Sequence, residues 1–299
     1  MTRQKNLSEQ LFDTFNILLM CFLSFLFLYP FLYVVYASIS DPVLLVRNEG
    51  ILLAPLGFTL EGYKLVFQNP NIYTGYLNTF IYVTAGTVVN LLMTSIGAYV
   101  LSRKDLLLKK GLMLLITFTM FFGGGLIPSF LLVNSLGMMN TRLALIIPGA
   151  ISTWNLIVMR TSFAEIPVSL EESAKLDGAN DIQVLFRIIL PVSKAVIAVM
   201  ALFYAVGHWN SWFSASIYLR DRKLFPLQLI LQEILIKNDA SMLGNASAQQ
   251  LQDINTNKAW YRTLIQYCTI VVATGPILCI YPFIQKYFVK GVMVGSIKA

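Results

Sequence analysis

Ser169-Leu170-Glu171-Glu172-Ser173-Ala174-Lys175-Leu176-Asp177-Gly178-Ala179-Asn180-Asp181-Ile182-Gln183-Val184-Leu185-Phe186-Arg187-Ile188-Ile189-Leu190-Pro191 is a long polar interruption between two apolar runs. It carries clear helix punctuation. Ser169 followed three residues later by Glu172 reads as a capping box, which predicts a short helix from Leu170. Gly178 after Asp177 predicts its end, because glycine enters the left-handed turn without steric cost. Asp181 is the expected cap of a second helix, on which Ile182, Leu185, Phe186 and Ile189 make one apolar face. Such a helix, glycine turn and helix makes sense outside a bilayer only if its apolar face docks on something.

The rest of the chain explains why a bilayer is at issue. Of 299 residues, 57% are hydrophobic and 12% are charged, against roughly 25% charged in a soluble domain. The chain therefore reads as an all-α polytopic membrane protein. A span needs about 20 apolar residues, and six such runs are expected, at about 16–39, 74–101, 111–133, 143–162, 190–216 and 264–286. Arg3, Lys5, Glu9 and Asp13 precede the first run and no small-residue cleavage site follows a short core, so it reads as a retained helix with a kink expected at Pro30. The three cysteines, Cys21, Cys268 and Cys279, lie in apolar runs without CxxC spacing, which indicates neither disulfides nor a metal. A net charge of +7 would point to nucleic acid in a soluble chain, but here the placement of the charges decides otherwise.

With a cytoplasmic N-terminus, 13 Lys and Arg fall inside and 9 outside, and 6 of those 9 sit in the long segment 217–263, where the positive-inside rule acts weakly. Arg103-Lys104 and Lys109-Lys110 inside oppose Arg142 outside in the short connections. Both termini and the loop 163–189 are then cytoplasmic, and 40–73 and 217–263 are outer loops. The first should hold a small hairpin or short helices; the second should hold an amphipathic helix at Leu227–Ile236, followed by the small, polar Asn245–Gln252.

Polar residues inside the runs are the candidates for a transport path. Asn90 and Thr94 must find partners in lipid, either as glue between helices or toward a cavity. Gly123-Gly124-Gly125 with Pro128 predicts a bent or unwound helix, tolerated at membrane depth only against protein or a water-filled space. Trp154 and Asn155 could stack on and hydrogen-bond a sugar ring, or could serve packing. His208-Trp209-Asn210 ends the fifth run, with Trp209 and Trp212 expected on one helix face; an aromatic headgroup belt would equally explain them. His208 is the one histidine and has no second ligand near it, so no metal site is indicated.

Glu172-Ser173-Ala174, three residues, Gly178, nine residues, then Ile188-Ile189-Leu190-Pro191 resembles the cytoplasmic EAA loop of bacterial ABC importer permeases, with Ser173 in place of the first alanine and with Asp177 and Ala179 also matching. The tail Tyr287-Phe288-Val289-Lys290-Gly291 resembles the ending of carbohydrate-uptake permeases, and the resemblance spans nearly the whole chain. It is similar to the second maltose-importer permease and, through Gly123–Pro128 and Val289–Met293, to the branch importing larger or acidic oligosaccharides such as alginate. The resemblance implies a type I importer permease in a bacterial cytoplasmic (inner) membrane, and a coupling unit made of Glu171, Glu172, Ser173, Ala174, Asp177, Gly178 and Ala179. It implies a second permease subunit, two ATPase subunits that bind ATP and Mg, a solute-binding protein and an oligosaccharide substrate.

The chain contains no Gly-Lys dipeptide, so a phosphate-cradling P-loop is not expected within it. An ion-coupled secondary transporter would want Asp or Glu within the spans, whose apolar centres hold none. A membrane-embedded glycan-processing enzyme would want converging carboxylates, and Glu171 and Glu172, adjacent on a helix, point about 100° apart.

Overall fold

The computed structural model describes residues 7–48, 50–237 and 258–296, and these form helices with no strand among them. The principal helices are α1 (Leu7–Ser38), α2 (Pro42–Arg47), α3 (Glu61–Gln68), α4 (Pro70–Ser102), α5 (Lys109–Phe121), α6 (Leu126–Ser135), α7 (Leu143–Ile146) and α8 (Thr153–Ala164). They continue with α9 (Val168–Leu176), α10 (Asp181–Val184), a π-helical turn (Leu185–Ile189), α11 (Leu190–Val192), α12 (Lys194–Trp209) and α13 (Trp212–Tyr218). A 3-10 turn (Arg222–Leu224), α14 (Leu227–Lys237) and α15 (Lys258–Ser296) follow. Asn245–Gln252 and the side chains of the tail from Gln285 lie outside the described residues.

Helices α1 and α4 and the stretch Trp260–Cys279 of α15 are each long and apolar enough to cross a membrane. Two further helix pairs qualify together: α5 with α6, bent by 110°, and Asp181–Val192 with α12, bent by 88°. The first bend falls at the glycine run. Gly125 has a φ of +84°, and the helix stops at Phe121 and restarts at Leu126. The expected run 143–162 is divided into α7 and α8 because Pro148-Gly149 cannot continue the helix, and the run 190–216 breaks after Trp209. In α1 the helix continues through Pro30 without interruption.

The chain falls into two compact units, residues 1–70 with 233–275, and 71–232 with 276–299. In the first, Ala37, Leu45 and Leu52 form a small core with Tyr33, Tyr36, Leu56 and Tyr267 against it. Asp41 caps α2 by accepting the N–H groups of Val43 and Leu44, and Pro42 occupies the first helical position, where no donor is needed. The Gly62 position lies directly against Cys268 and Leu264, and the Cys268 thiol donates to the Ser38 carbonyl at 3.2 Å.

The second unit is organised by α4. Its buried residues include Gly75, Asn78, Thr79, Tyr82, Gly86, Asn90, Thr94 and Ala98, one stripe at three- and four-residue spacing made of small and polar side chains. Phe80, Val88, Leu92 and Ile96 lie exposed on the same helix. This inverts a soluble helix: the apolar side chains suit lipid, while small and hydrogen-bonding residues allow close helix contacts. Near the start of α4, Asn78 donates to the carbonyls of Lys223 and Phe225 at 2.6 and 3.2 Å, and Tyr82 donates to that of Leu224 at 2.7 Å. Thr79 accepts the Leu227 N–H at 2.8 Å. The stretch 223–227 is thereby held by its backbone.

Candidate functional site

The first site is the glycine-turned pair of helices, α9 and α10. Helix α9 begins at Val168 with Pro167 in the cap position and no side-chain cap bond. The expected capping box is therefore absent: Ser169 sits inside the helix, where its carbonyl accepts the Ser173 hydroxyl at 2.8 Å, and Glu172 is exposed and caps nothing. The physical reason is Pro167, whose fixed φ starts the helix earlier than the polar pattern indicated. At the other end Gly178 has a φ of +82°, and the N–H groups of Gly178 and Ala179 return to the carbonyls of Lys175 and Ala174 at 3.0 and 2.9 Å. That is the left-handed helix stop for which glycine is suited.

Asn180, not Asp181, caps the second helix. It forms a reciprocal box with Gln183, each bond 2.9 Å long. The expected face of Ile182, Leu185, Phe186 and Ile189 is also re-phased. Val184, Leu185 and Ile189 are buried, whereas Ile182 and Phe186 are exposed. The π-helical turn adds a residue to the repeat there, and it precedes Pro191, which lacks the donor an α-helical turn would use and whose ring crowds the carbonyl four residues back.

The motif sorts into two faces. Inward, Glu171 and Ala174 are buried and Ala179 is partly so; Ala174 packs with Tyr99, Phe163, Leu185 and Ile189 in one core, where a larger side chain would overfill the space. Outward, Leu170, Glu172, Ser173, Leu176 and Asp177 are exposed, Leu176 to 89%. The inward acid is held by charge. Arg103, just past the end of α4, forms an ion pair with Glu171, and Lys175 Nζ lies 3.2 Å from the same carboxylate oxygen and 3.1 Å from Asp181. The Lys175 ammonium holds the Asp181 carboxyl below its ordinary range.

The second site is a cavity of about 450 Å³ in the same unit, lined by residues of α4, the α7–α8 connection, α12 and α13. Two hydrogen-bonded rungs at its wall tie α4 to α12. Asn90 of α4 donates to the Gly149 carbonyl at 2.5 Å, a group left without a helical partner by the Pro148-Gly149 break, and its amide oxygen lies 2.6 Å from His208 Nε2. Because that oxygen can only accept, Nε2 carries the proton. One turn along, the Tyr204 hydroxyl accepts the Ser152 N–H at 3.1 Å and lies 2.6 Å from Thr94 Oγ1. The pairs 90 with 208 and 94 with 204 set α4 and α12 antiparallel. Gly86, a turn before Asn90, allows this approach, since a Cβ there would overlap the His208 ring.

Of the sequence candidates, Asn90, Asn155, His208 and Asn210 line the cavity, and Thr94 stands behind it on Tyr204. Trp154 is exposed and outside the lining. Trp209 is buried, edge-on to Phe80 at 6.2 Å, and likewise outside the lining. The expected shared face of Trp209 and Trp212 is absent, because the helix stops between them at Asn210-Ser211. Sequence reading missed Gly86, Ser152, Tyr204 and the stripe Gly75, Asn78, Thr79 and Tyr82. The stripe's four-residue repeat of small and polar types inside an apolar run was the available signal.

Residues 94–294 match the binding-protein-dependent transport system inner membrane component family. The chain belongs to that family. It is 42% identical over 274 residues, 90% of this chain and 92% of the relative, to the polygalacturonan/rhamnogalacturonan transport system permease protein YtcP of Bacillus subtilis (strain 168). To the protein LplC of the same organism it is 38% identical, covering 99% and 98% of the two chains. Among solved structures it is similar to a chain in the crystal structure of a bacterial ABC transporter involved in the import of the acidic polysaccharide alginate, with a TM-score of 0.85, 31% identity, and 96% and 100% of the chains covered. The chain is thus the membrane component of an ABC transport system, not an enzyme, and the ion-coupled transporter and the glycan-processing enzyme fall away as readings.

Proposed function

We propose that this chain forms one half of the translocation path of an ATP-driven oligosaccharide importer, and that α9 is its coupling helix. The observation that carries this reading is the two-faced motif: Glu171 and Ala174 fasten α9 to the membrane unit, while Leu170, Leu176 and Ile182 stand exposed beside the Gly178 turn. Exposed leucine and isoleucine flanked by Glu172 and Asp177 fit an apolar cleft with a basic rim on a cytoplasmic ATPase. ATP-driven closure of two such subunits, each holding ATP and Mg, would move α9 as a lever.

In this reading the chain crosses the inner membrane six times with both termini in the cytoplasm. A second, different permease completes the path, and a solute-binding protein delivers the sugar from outside. The relatives' systems support an oligosaccharide of the polyuronide kind. The cavity supplies amides and hydroxyls from Asn90, Asn155, Tyr204, Asn210, Ser211 and Ser214, with Phe203 and Phe213 as flat apolar faces. No Lys or Arg stands among its lining residues.

ATP hydrolysis by the purified four-subunit assembly, with and without binding protein and sugar, tests the importer reading. Stimulation by loaded binding protein is expected; uptake that needs only an ion gradient would contradict it. Asn155→Ala should weaken sugar uptake by about tenfold in half-saturation, as one lost hydrogen bond of roughly 1 to 2 kcal/mol implies. ATP hydrolysis in the absence of sugar should stay unchanged. Wild-type half-saturation for every oligosaccharide tested would remove Asn155 from the path.

A further inference from the structure

Glu171 and Glu172 are adjacent acids with opposite surroundings. Glu172 is exposed, whereas Glu171 is buried to 7% exposure. A carboxylate is placed in such a position only with strong compensation. Here the compensation comes from Arg103 and Tyr99 at the end of α4 and from Lys175 on α9 itself. Arg103 at the end of α4 pairs with Glu171, donates to the Tyr99 hydroxyl at 3.0 Å and lies with its guanidinium 4.4 Å from the centre of the Tyr99 ring. The Tyr99 hydroxyl lies 3.5 Å from both Glu171 and Asp181, and Lys175 bridges the same two acids. Two acids, two bases and a tyrosine thus join α4, α9 and α10 at one point.

We propose that Glu171 is a positioning residue, the joint through which motion of α9 is passed to α4; this deepens the coupling-helix reading and rests on it. Apolar contacts between helices can slide at little cost. A charge-assisted hydrogen bond is directional, and pulling its partners apart leaves the buried Glu171 carboxylate unpaired. Helix α4 then carries the displacement onward as one rigid body, because it is unbroken from Pro70 to Ser102. Asn90 and Thr94, which make the two rungs to α12, lie on that same helix, about 13 Å and 8 Å from Tyr99 along its axis. The path from the ATPase side to the sugar cavity therefore needs one ionic joint and one helix.

The test uses the complete reconstituted assembly in vesicles and reads sugar taken up per ATP hydrolysed, a ratio that a merely structural anchor would leave alone. Glu171→Gln should assemble with the ATPase subunits and hydrolyse ATP within about twofold of wild type, while sugar per ATP falls about tenfold, within the range of coupling energies between linked sites. The swap of Glu171→Arg with Arg103→Glu should restore the ratio to within about threefold. An unchanged ratio in an assembled Glu171→Gln complex would overturn the joint. If Glu171→Gln fails to assemble, the swap decides: coupled transport supports the joint, and an assembled swap with a Gln-like loss overturns it. A wild-type assembly that transports without ATP would overturn the importer reading itself, which distinguishes the two failures.

Discussion

Replacing Gly178 with proline should abolish uptake, by at least about a hundredfold, while the protein still inserts in the membrane at normal abundance. The backbone at 178 has a φ of +82°. Proline is fixed near −65°, and any residue with a Cβ gives up roughly 1 to 2 kcal/mol in the left-handed region. Space is not the issue, since a Cβ at 178 would meet no atom within 4 Å. The effect is one of direction: the angle between α9 and α10 is set by this one turn, and a changed angle presents Leu176 and Ile182 to the ATPase in the wrong relation. Gly178→Ala should fall between, and Gly178→Asn, which tolerates the left-handed conformation, should lie nearest wild type. Measuring uptake alongside the amount of membrane-inserted protein checks this series. Wild-type uptake in the proline variant would remove the turn from coupling.

The second large effect is expected at Gly86. Any side chain there collides with the His208 ring, and a flat ring held by Asn90 cannot yield as a flexible chain would. Gly86→Leu should separate α4 from α12, break both rungs and lower stability by about 2 to 3 kcal/mol, the cost of overfilling a packed contact. The melting temperature in detergent should drop and uptake should be lost, whereas Gly97→Leu, whose nearest neighbour is the end of the Leu156 side chain, should be tolerated better. Equal melting of the two variants would contradict the close-contact account.

How far the sequence could be read depends on whether a feature is local. The stop at Gly178 and the break at Gly123–Gly125 are properties of a few consecutive residues, and both stand where those residues stand. Helix α9 starts two residues before the point that the capping pattern of Ser169 and Glu172 indicates, because Pro167 already supplies the helical start. The apolar face after Gly178 departs from the 3.6-residue pattern because a π-helical turn changes the repeat, which that pattern has no way to register. Asn90 with His208, 118 residues apart, and Arg103 with Glu171 are pairings between distant segments. Sequence spacing marks such residues as needing a partner but does not name it. Trp154 and Trp209 have the chemistry of a sugar-stacking face, but neither is among the cavity's lining residues.

The most direct measurement of the coupling claim is labelling of a single cysteine placed at Leu176, which is 89% exposed, in a chain with Cys21, Cys268 and Cys279 replaced by alanine. A membrane-impermeant maleimide should modify it in inside-out vesicles and not in right-side-out ones, and bound ATPase subunits should protect it. Modification from the exterior face, or equal modification with and without the ATPase subunits, would contradict a cytoplasmic lever seated in that partner.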